Sequence, residues 1–165
     1  MTVKSSFAAI ARADARLLVC GSLPGERSLA QGRYYAHPQN QFWALMSPVV
    51  GHDLVPLSYE TRLEVLLTAR VALWDVVASA RREGSTDAAI REMTRNDVAA
   101  LAESLPELRA VAFNGATAYR HGLRQFGALA DRFVLVALPS SSPLHTVGIA
   151  AKQPAWTSLR RFLDS

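Results

Sequence analysis

The chain has 165 residues, half of them hydrophobic, which predicts one domain over residues 1–165 with a single core. The formal net charge of +4 favours a polyanionic partner without requiring one. The lone cysteine, Cys20, excludes an internal disulfide and a cysteine-ligated zinc or iron–sulfur site. The opening segment MTVKSSFAAIARADAR has no long apolar run, so we expect a cytoplasmic protein that is neither secreted nor membrane-bound.

Basic residues are spread over several parts of the chain rather than gathered in one run. Sequence order alone leaves open whether they form one face that binds a polyanion or simply solvate the surface. The basic residues singled out here are Arg27, Arg33, Arg81, Arg82, Arg120, Arg124, Lys152, Arg160 and Arg161.

Apolar runs and turn residues divide the chain into alternating strands and helices. The predicted strands are Arg16–Gly21, Val71–Val77, Arg109–Phe113 and Phe133–Leu138. The predicted helices are Phe7–Ala13, Asn40–Val50, Tyr59–Ala69, Asn96 or Asp97 to Leu105, Ala116–Phe126 and Ile149–Leu163, the last bent or delayed by Pro154. An irregular connection is predicted from Arg81 to Thr94.

The four predicted strands are continuous apolar runs that helices separate from one another. This order is typical of a parallel sheet covered on both faces. We therefore predict an α/β fold with three layers, α/β/α, around a central, mostly parallel four-stranded sheet. Ligands of such sheets bind where the loops leave the carboxyl ends of the strands.

Three loops follow those carboxyl ends: GSLPG with its extension to Trp43, FNGAT, and LPSSSPLHT. The first loop is long and rich in Gly, Pro, His, Asn and aromatic residues. Loops of this length are uncommon inside compact domains and are often functional. Because this one is too aromatic for a solvated linker, we expect a ligand to bind there.

The opening loop resembles the first motif of the uracil-DNA glycosylase superfamily. The mismatch-specific branch of that superfamily has a G-x-N-P-G turn, then an aromatic residue and A-H-P-x-N-x-F-W; the corresponding residues here are Gly21–Gly25 and Tyr35–Trp43. The hypoxanthine-DNA glycosylase branch is more similar still. It resembles GSLPGERSL, YYAHPQNQFW, ALWDV, FNGATAY and LPSSSP, in this order, along nearly the whole chain.

The resemblance implies an enzyme that removes a deaminated base from DNA, most of all hypoxanthine, by base flipping and water attack. Cleavage of an N-glycosidic bond passes through an oxocarbenium-like sugar, so the protein must hold a water and stabilise the departing base. No metal or nucleotide cofactor is expected, and the expected partner of this monomeric protein is DNA carrying the damaged base. The motifs contain no lysine nucleophile, so strand cleavage through a Schiff base is not expected.

Three residues of the first motif receive roles from the resemblance. Asn40 is the implied catalytic residue, because its amide can hold the attacking water or orient the sugar; alternatively, it caps the next helix. Tyr35 corresponds to the stacking aromatic and would lie against the flipped base, with a half-buried loop anchor as the alternative. His37 would contact DNA or pin the loop beside Pro38.

The first turn and two other strand ends supply the implied base contacts. Ser22 would contact the base or serve as a plain turn residue. Leu23 stands where the uracil-processing branches carry Asn or Asp, which argues against efficient uracil removal. Asp75, alone in an apolar strand, contributes to the site or caps a loop, and it must have a polar partner. Asn114 precedes Gly115 at a helix start, where it would contact the base or cap the helix.

The second motif of the superfamily corresponds to Pro139–Leu144. The resemblance implies that its serines donate to phosphates beside the lesion and that its leucine fills the gap left by the flipped base. Leu138 stands in the place of the superfamily histidine, so that imidazole is missing from the site. The implied DNA contacts in and after this motif are Ser140, Ser141, Ser142, Leu144 and His145.

Other functions stay open on the sequence. The same chemistry could be directed at uracil or thymine opposite guanine. Leu23 and Leu138 also allow a non-catalytic DNA-binding relative. A serine hydrolase would use Ser22 or Ser140–Ser142 with His145, although the chain has no G-x-S-x-G motif.

The predicted roles depend on one spatial condition. Tyr35, Asn114 and Ser141 are far apart in sequence and belong to three different loops. We expect the fold to bring them to one cavity that admits an extrahelical purine.

Overall fold

The computed structural model describes residues 3–81 and 91–164. Its strands are β1 (Val3–Ser5), β2 (Leu17–Gly21), β3 (Val71–Asp75), β4 (Val77–Arg81), β5 (Arg91–Arg95), β6 (Ala110–Asn114) and β7 (Val134–Leu138). Its α-helices are α1 (Glu26–Gln31), α2 (Phe42–Val50), α3 (Tyr59–Thr68), α4 (Val98–Ser104), α5 (Ala116–Phe126) and α6 (Ile149–Thr157). The 3₁₀ helices Gly127–Asp131 and Ser158–Phe162 follow α5 and α6.

The central sheet contains β3, β2, β6 and β7 in that spatial order, and each neighbouring pair is parallel. Every residue of β2 and β6 is buried, because helices cover both faces of the sheet. Successive side chains of a strand point to opposite faces, so Leu17 and Val19 join one core while Leu18 and Cys20 join the other. The predicted three-layer fold with a parallel four-stranded sheet is confirmed.

Two groups of helices form the outer layers. On one face, α2, α3 and α6 pack against the sheet through residues such as Phe42, Leu66 and Trp156. On the other face, α4 and α5 pack through Val98 and Phe126. Helices therefore pack on both faces of the sheet. This packing fixes the strand ends from which the loops at the carboxyl edge begin.

A second, smaller sheet is not predicted by the sequence. In it β1, β4 and β5 pair antiparallel, in the order β1-β4-β5. The irregular connection predicted from Arg81 to Thr94 is therefore wrong where Arg91–Arg95 forms a strand. The rest of that prediction, residues 82–90, lies outside the described residues.

Two other predicted elements differ from the structure. The strand predicted at Val71–Val77 ends at Asp75, after which the chain enters the second sheet. The helix predicted at Phe7–Ala13 is wrong, because this segment is extended. The indole of Trp74 donates to the carbonyl of Phe7 at 3.0 Å, and such long-range contacts outweigh the local preference for a helix.

Helix α1 (Glu26–Gln31) is not predicted, because it lies within the segment expected to be one long loop. The other helices agree with the prediction, with one change near the C-terminus. The helix α6 begins at Ile149 and contains Pro154, but it ends at Thr157, and a 3₁₀ helix continues to Phe162. In the described part of the chain, no helix combines the length and the apolar character needed to cross a bilayer.

Gly122 lets α5 approach β6, the strand that ends at Asn114. A Cβ at position 122 would clash with Cε1 of Phe113, a fully buried ring of β6. We expect Gly122→Ala to lower the free energy of unfolding by about 1–3 kcal/mol, the usual cost of overpacking a core. Urea unfolding measures the change, with Gly148→Ala as the control because its Cβ would meet no atom within 4 Å. Equal losses in the two variants would contradict the prediction.

Candidate active site

A cavity of about 450 Å³ lies at the carboxyl ends of the central strands. The ends of β2, β3 and β6 enclose it together with the long first loop and the loop after β7, which is where parallel sheets bind ligands. All the predicted site residues line it: Ser22, Leu23, Tyr35, His37, Asn40, Asp75, Asn114, Ser140, Ser141, Ser142, Leu144 and His145. The three loops therefore share one cavity, as the sequence predicts.

Asn114 joins the three loops by direct hydrogen bonds. Its Nδ2 donates to Oγ of Ser141 at 2.8 Å and to the hydroxyl of Tyr35 at 3.4 Å. Its Oδ1 accepts the backbone N–H of Ser141 at 2.9 Å. Asn114 and Ser141 are both buried, so this network fixes the inner wall of the cavity. The side chain does not cap α5, whose N-cap is Gly115.

Tyr35 presents an aromatic wall that a second ring supports. Its ring stacks on Phe42 with centroids 3.8 Å apart and planes 9° from parallel. The indole of Trp43 donates to the carbonyl of Tyr35 at 3.2 Å. Tyr35 has a positive φ of 54°, which few residues other than glycine adopt, so these contacts hold a strained backbone in place.

Tyr34, the neighbouring aromatic, is a packing residue of the same wall. It is buried, and its hydroxyl donates to the carbonyl of Ala8 at 2.9 Å. Burial raises the pKa of Tyr34 far above its usual value, and the negative charge of Asp75 raises it further. The phenol therefore stays protonated and acts as a donor.

Asp75 places a buried carboxylate at the floor of the cavity. The side chain is buried, and Ser6 donates its hydroxyl to Oδ2 at 3.0 Å, which supplies the polar partner that the sequence requires. A Cβ at Gly21 would lie 2.6 Å from Oδ1 of Asp75 and 2.9 Å from the hydroxyl of Tyr35. Only glycine leaves room for both groups at this point of the cavity.

The first turn carries an apolar side chain, Leu23, into the cavity wall. Leu23 is buried in a small cluster with Val77 and Ala80 of β4. Ser22, also buried, accepts the N–H of Val77 at its carbonyl at 2.9 Å. The second sheet therefore anchors this turn.

Asn40 and His37 are linked within the loop before α2. Oδ1 of Asn40 accepts the N–H of Phe42, the first residue of α2, at 2.9 Å. Asn40 therefore provides a hydrogen-bond acceptor for a backbone N–H at the start of that helix. Nδ2 of Asn40 has no hydrogen-bond acceptor among the described residues. Nδ1 of His37 accepts the N–H of Gln39 at 3.0 Å, and the carbonyl of His37 accepts the N–H of Asn40 at 2.9 Å. These two hydrogen bonds of His37 therefore stabilise the loop before α2.

The loop after β7 forms the opposite rim of the cavity. Oγ of Ser140 accepts the N–H of Ser142, and Oγ of Ser142 accepts the N–H of Leu144, each at 3.1 Å. In these turns the serine hydroxyl oxygens act as acceptors, and Leu144 is exposed, with 58% of its surface accessible. No hydrogen bond found for Ser140 to Ser142 reaches the imidazole of His145, so the loop lacks the pairing that a serine nucleophile requires.

Lys152 is a functional candidate that the sequence does not identify. Its side chain is fully buried, and Nζ donates to Oε1 of Gln41 at 2.7 Å and to the carbonyl of His145 at 3.2 Å. Gln41 in turn donates its backbone N–H to the carbonyl of Ser141 at 2.9 Å. Lys152 therefore ties the first loop to the loop after β7, a role that a lysine in a terminal helix does not reveal by sequence.

The buried Lys152 should make stability depend on pH in the alkaline range. Burial lowers the pKa of Lys152 from its usual 10.5. Between the lowered pKa and 10.5, the unfolded chain binds a proton that the folded chain has released, so the free energy of unfolding rises with pH in that window. Urea unfolding across the window should show this rise in the wild type relative to Lys152→Met. Parallel curves would contradict it.

The side chains that line the cavity indicate which kind of ligand it can bind. Among the described residues, no group of three or more His, Cys, Asp or Glu side chains could hold a metal ion. The groups that line the cavity are instead amides, hydroxyls, two carboxylates, one guanidinium, two imidazoles and aromatic rings, which suit an organic ligand.

Comparison with known proteins identifies the family. The model of the uracil DNA glycosylase superfamily matches residues 8–160. The chain belongs to this superfamily. Two similar relatives are both named hypoxanthine DNA glycosylase. The one from Methanosarcina acetivorans is 34% identical over 96% of this chain and 99% of the relative, and the one from Methanosarcina barkeri is 33% identical over 93% and 95%.

A solved structure shows the same superfamily fold. It is the solution NMR structure of a Methanosarcina acetivorans protein described as a candidate uracil DNA glycosylase. It superposes with a TM-score of 0.87 at 32% identity, covering 99% of this chain and 100% of the other. The match extends over the central sheet and the loops at its carboxyl edge, because nearly all of both chains is included.

Proposed function

We propose that this chain is a DNA glycosylase that hydrolyses the N-glycosidic bond of hypoxanthine in DNA. The observation that carries the proposal is the single cavity onto which Tyr35, Asn40, Asp75 and the loop after β7 converge. Membership of the superfamily supports base excision from DNA, and the two relatives named hypoxanthine DNA glycosylase support the choice of base.

Base flipping would bring the damaged nucleotide into the cavity. The ring of Tyr35, held from behind by Phe42, offers its outer face for stacking on a flipped base. Leu144 is exposed at the rim and would fill the space left in the DNA stack. Hydroxyls of Ser140 and Ser142 lie beside it and would donate to the neighbouring phosphates.

Asp75 would distinguish hypoxanthine from adenine. Hypoxanthine carries a proton on N1, which a carboxylate accepts in a charge-assisted hydrogen bond. Adenine has a lone pair on N1, which the carboxylate would repel. Leu23 packs against Val77 and Ala80. It is apolar at the position where the uracil-processing branches carry Asn or Asp, and this favours hypoxanthine over uracil.

Asn40 would act on the sugar and the water. Its Oδ1 already accepts one backbone N–H and keeps a second lone pair for a water molecule. Its Nδ2, with no acceptor in the described part of the chain, is available to the substrate. The amide would thus hold the attacking water beside the oxocarbenium-like sugar. The oxygen of the water would bond to the anomeric carbon as the bond to the base breaks; the base leaves with the electron pair of that bond, and the proton lost by the water neutralises it.

A panel of duplexes tests the proposal, each carrying a single hypoxanthine, uracil, thymine mismatch or xanthine. We expect abasic sites to form fastest from hypoxanthine. Faster release of uracil or thymine opposite guanine would replace the proposal with a mismatch-specific activity. Absence of release from every duplex, with lesion binding retained, would replace it with a non-catalytic relative.

Replacement of Asp75 by asparagine should slow hypoxanthine release about tenfold. The change turns a charge-assisted hydrogen bond into a neutral one, which is worth roughly 1.4 kcal/mol. Single-turnover kinetics on the hypoxanthine duplex measure it. Ser6→Ala is the control, because it removes a bond to the carboxylate at 3.0 Å but keeps the charge, and should have a smaller effect. Equal rates for Asp75→Asn and wild type would exclude the proposed base contact.

A further inference from the structure

Three exposed arginines surround a buried histidine on one flank of the molecule. His121 of α5 is buried, and Nη2 of Arg95 lies 3.3 Å from its Nδ1. A guanidinium can only donate, so Nδ1 is the acceptor and the imidazole is neutral. Arg120 and Arg124 lie one residue before and three residues after His121 in α5. Burial and then the charges of Arg95, Arg120 and Arg124 lower the pKa of His121. We call Arg95, Arg120 and Arg124 the arginine cluster.

The arginine cluster has no acidic counterpart among residues 5–80 and 94–164, whose side chains the structure describes. Other arginines there do pair with carboxylates: Arg33 with Glu60, Arg70 with Asp14, and Arg132 with Glu103. Among the residues whose side chains the structure describes, 5–80 and 94–164, no carboxylate lies within 4.0 Å of a guanidinium of the cluster. Like charges held together without counter-charges repel one another, so this arrangement suits a surface that meets a polyanion.

The arginine cluster adjoins the cavity. Arg95 is followed by Asn96, whose Nδ2 donates to the carbonyl of Asp75 in the cavity floor at 2.7 Å. Nε2 of Gln125 in α5 donates to the carbonyl of Asn96 at 2.9 Å, which holds α5 against the residue that contacts Asp75. The helix itself begins two residues after Asn114, another cavity residue. Two hydrogen bonds therefore connect the cavity floor to the flank that carries the arginines.

We infer that Arg95, Arg120 and Arg124 bind backbone phosphates of the DNA strand next to the nucleotide that enters the cavity. The inference rests on the proposed function, which brings DNA to the cavity mouth. Planar guanidiniums pair with phosphate oxygens in a bidentate manner. All three arginines are exposed, which leaves their guanidiniums accessible to an extended phosphodiester chain.

The double variant Arg120→Gln/Arg124→Gln tests the arginine cluster. Each phosphate contact that is lost makes the dependence of log K on log salt shallower by about 0.9, so we expect the slope to decrease by about 2. We also expect the Kd for a hypoxanthine duplex at low salt to rise about tenfold or more. Fluorescence anisotropy at several salt concentrations gives both quantities. A slope and Kd equal to those of the wild type would overturn the inference.

A charge-matched control is available at the opposite edge of the sheet. Arg160 and Arg161 are both exposed in the last 3₁₀ helix. The end of that helix accepts hydrogen bonds from Arg16 and Arg109, which precede β2 and β6 and so mark the amino edge of the sheet. Arg160→Gln/Arg161→Gln removes the same charge, and we expect a near-normal slope. An equal decrease in both double variants would overturn the inference, because only net charge would then matter.

The same experiment separates this inference from the proposed function. Base release by the wild type is measured on the same hypoxanthine duplex. A wild type that binds the duplex but releases no base would contradict the proposed function. The comparison of salt slopes uses binding alone, so it decides the role of the arginine cluster in either case.

Discussion

Asn40→Ala is expected to lower the single-turnover rate of hypoxanthine release by about 10²- to 10³-fold, the usual effect of removing one group that acts in the transition state. The affinity for the hypoxanthine duplex should change little, because the stacking wall and the phosphate contacts stay in place. The amide of Asn40 faces the cavity, and its Nδ2 is not used by any of the described residues, so the structure leaves it available for the reaction.

The structural role of Asn40 requires a matched control. Because Oδ1 accepts the N–H of Phe42 at 2.9 Å, the alanine variant should also lose about 1 kcal/mol of stability. Asn40→Ser keeps an oxygen that can satisfy the helix start but removes the amide. We expect Asn40→Ser to be more stable than Asn40→Ala in urea and equally slow in base release. Turnover near the wild-type rate in Asn40→Ser would show that Asn40 serves the fold alone.

The central sheet could be predicted because its strands are buried on both faces. A strand of this kind is a continuous apolar run and can be recognised without knowing its neighbours. The strand predicted at Arg16–Gly21 differs by one residue from Leu17–Gly21, and the strand predicted at Phe133–Leu138 differs by one residue from Val134–Leu138. The parallel arrangement of the strands followed from their alternation with helices, but their spatial order was not predicted.

The second sheet could not be predicted, for the opposite physical reason. The strand Arg91–Arg95, with the sequence REMTR, is largely polar and shows no apolar run. It becomes a strand because β4 supplies its hydrogen-bonding partner, and propensity in such strands depends on context. This sheet matters to the site, since Val77 and Ala80 of β4 cover Leu23.

The residues that line the site could be predicted, but the hydrogen bonds and packing that position their side chains could not. The motifs place Asn40 and Tyr35 in the cavity wall by resemblance alone. Ser6, the partner of Asp75, lies far away in sequence and belongs to a segment that the sequence assigns to no strand. The burial of Lys152 could not be predicted either, because lysines in helices are nearly always exposed. Only the fold shows that this one is fully buried.

Tyr35→Ala is expected to reduce the preference for the hypoxanthine duplex over an undamaged duplex by about 10- to 100-fold. Stacking of one base on an aromatic side chain contributes about 1–3 kcal/mol, and alanine removes the wall entirely. The loss should appear in lesion binding and in kcat/KM, because the flipped base would no longer be held. Phosphate contacts should keep the affinity for undamaged DNA near that of the wild type.

Two features of the experiment separate stacking from a loss of folding. The ring of Tyr35 stacks on Phe42 with centroids 3.8 Å apart, so its removal also weakens the core. The ratio of the two affinities, measured well below the melting temperature, cancels any loss of folded protein. Tyr35→Phe keeps the ring and loses only the hydroxyl that accepts from Asn114 at 3.4 Å, so it should retain most of the preference. If Tyr35→Ala and Tyr35→Phe show the same ratio as the wild type, the ring does not hold the base.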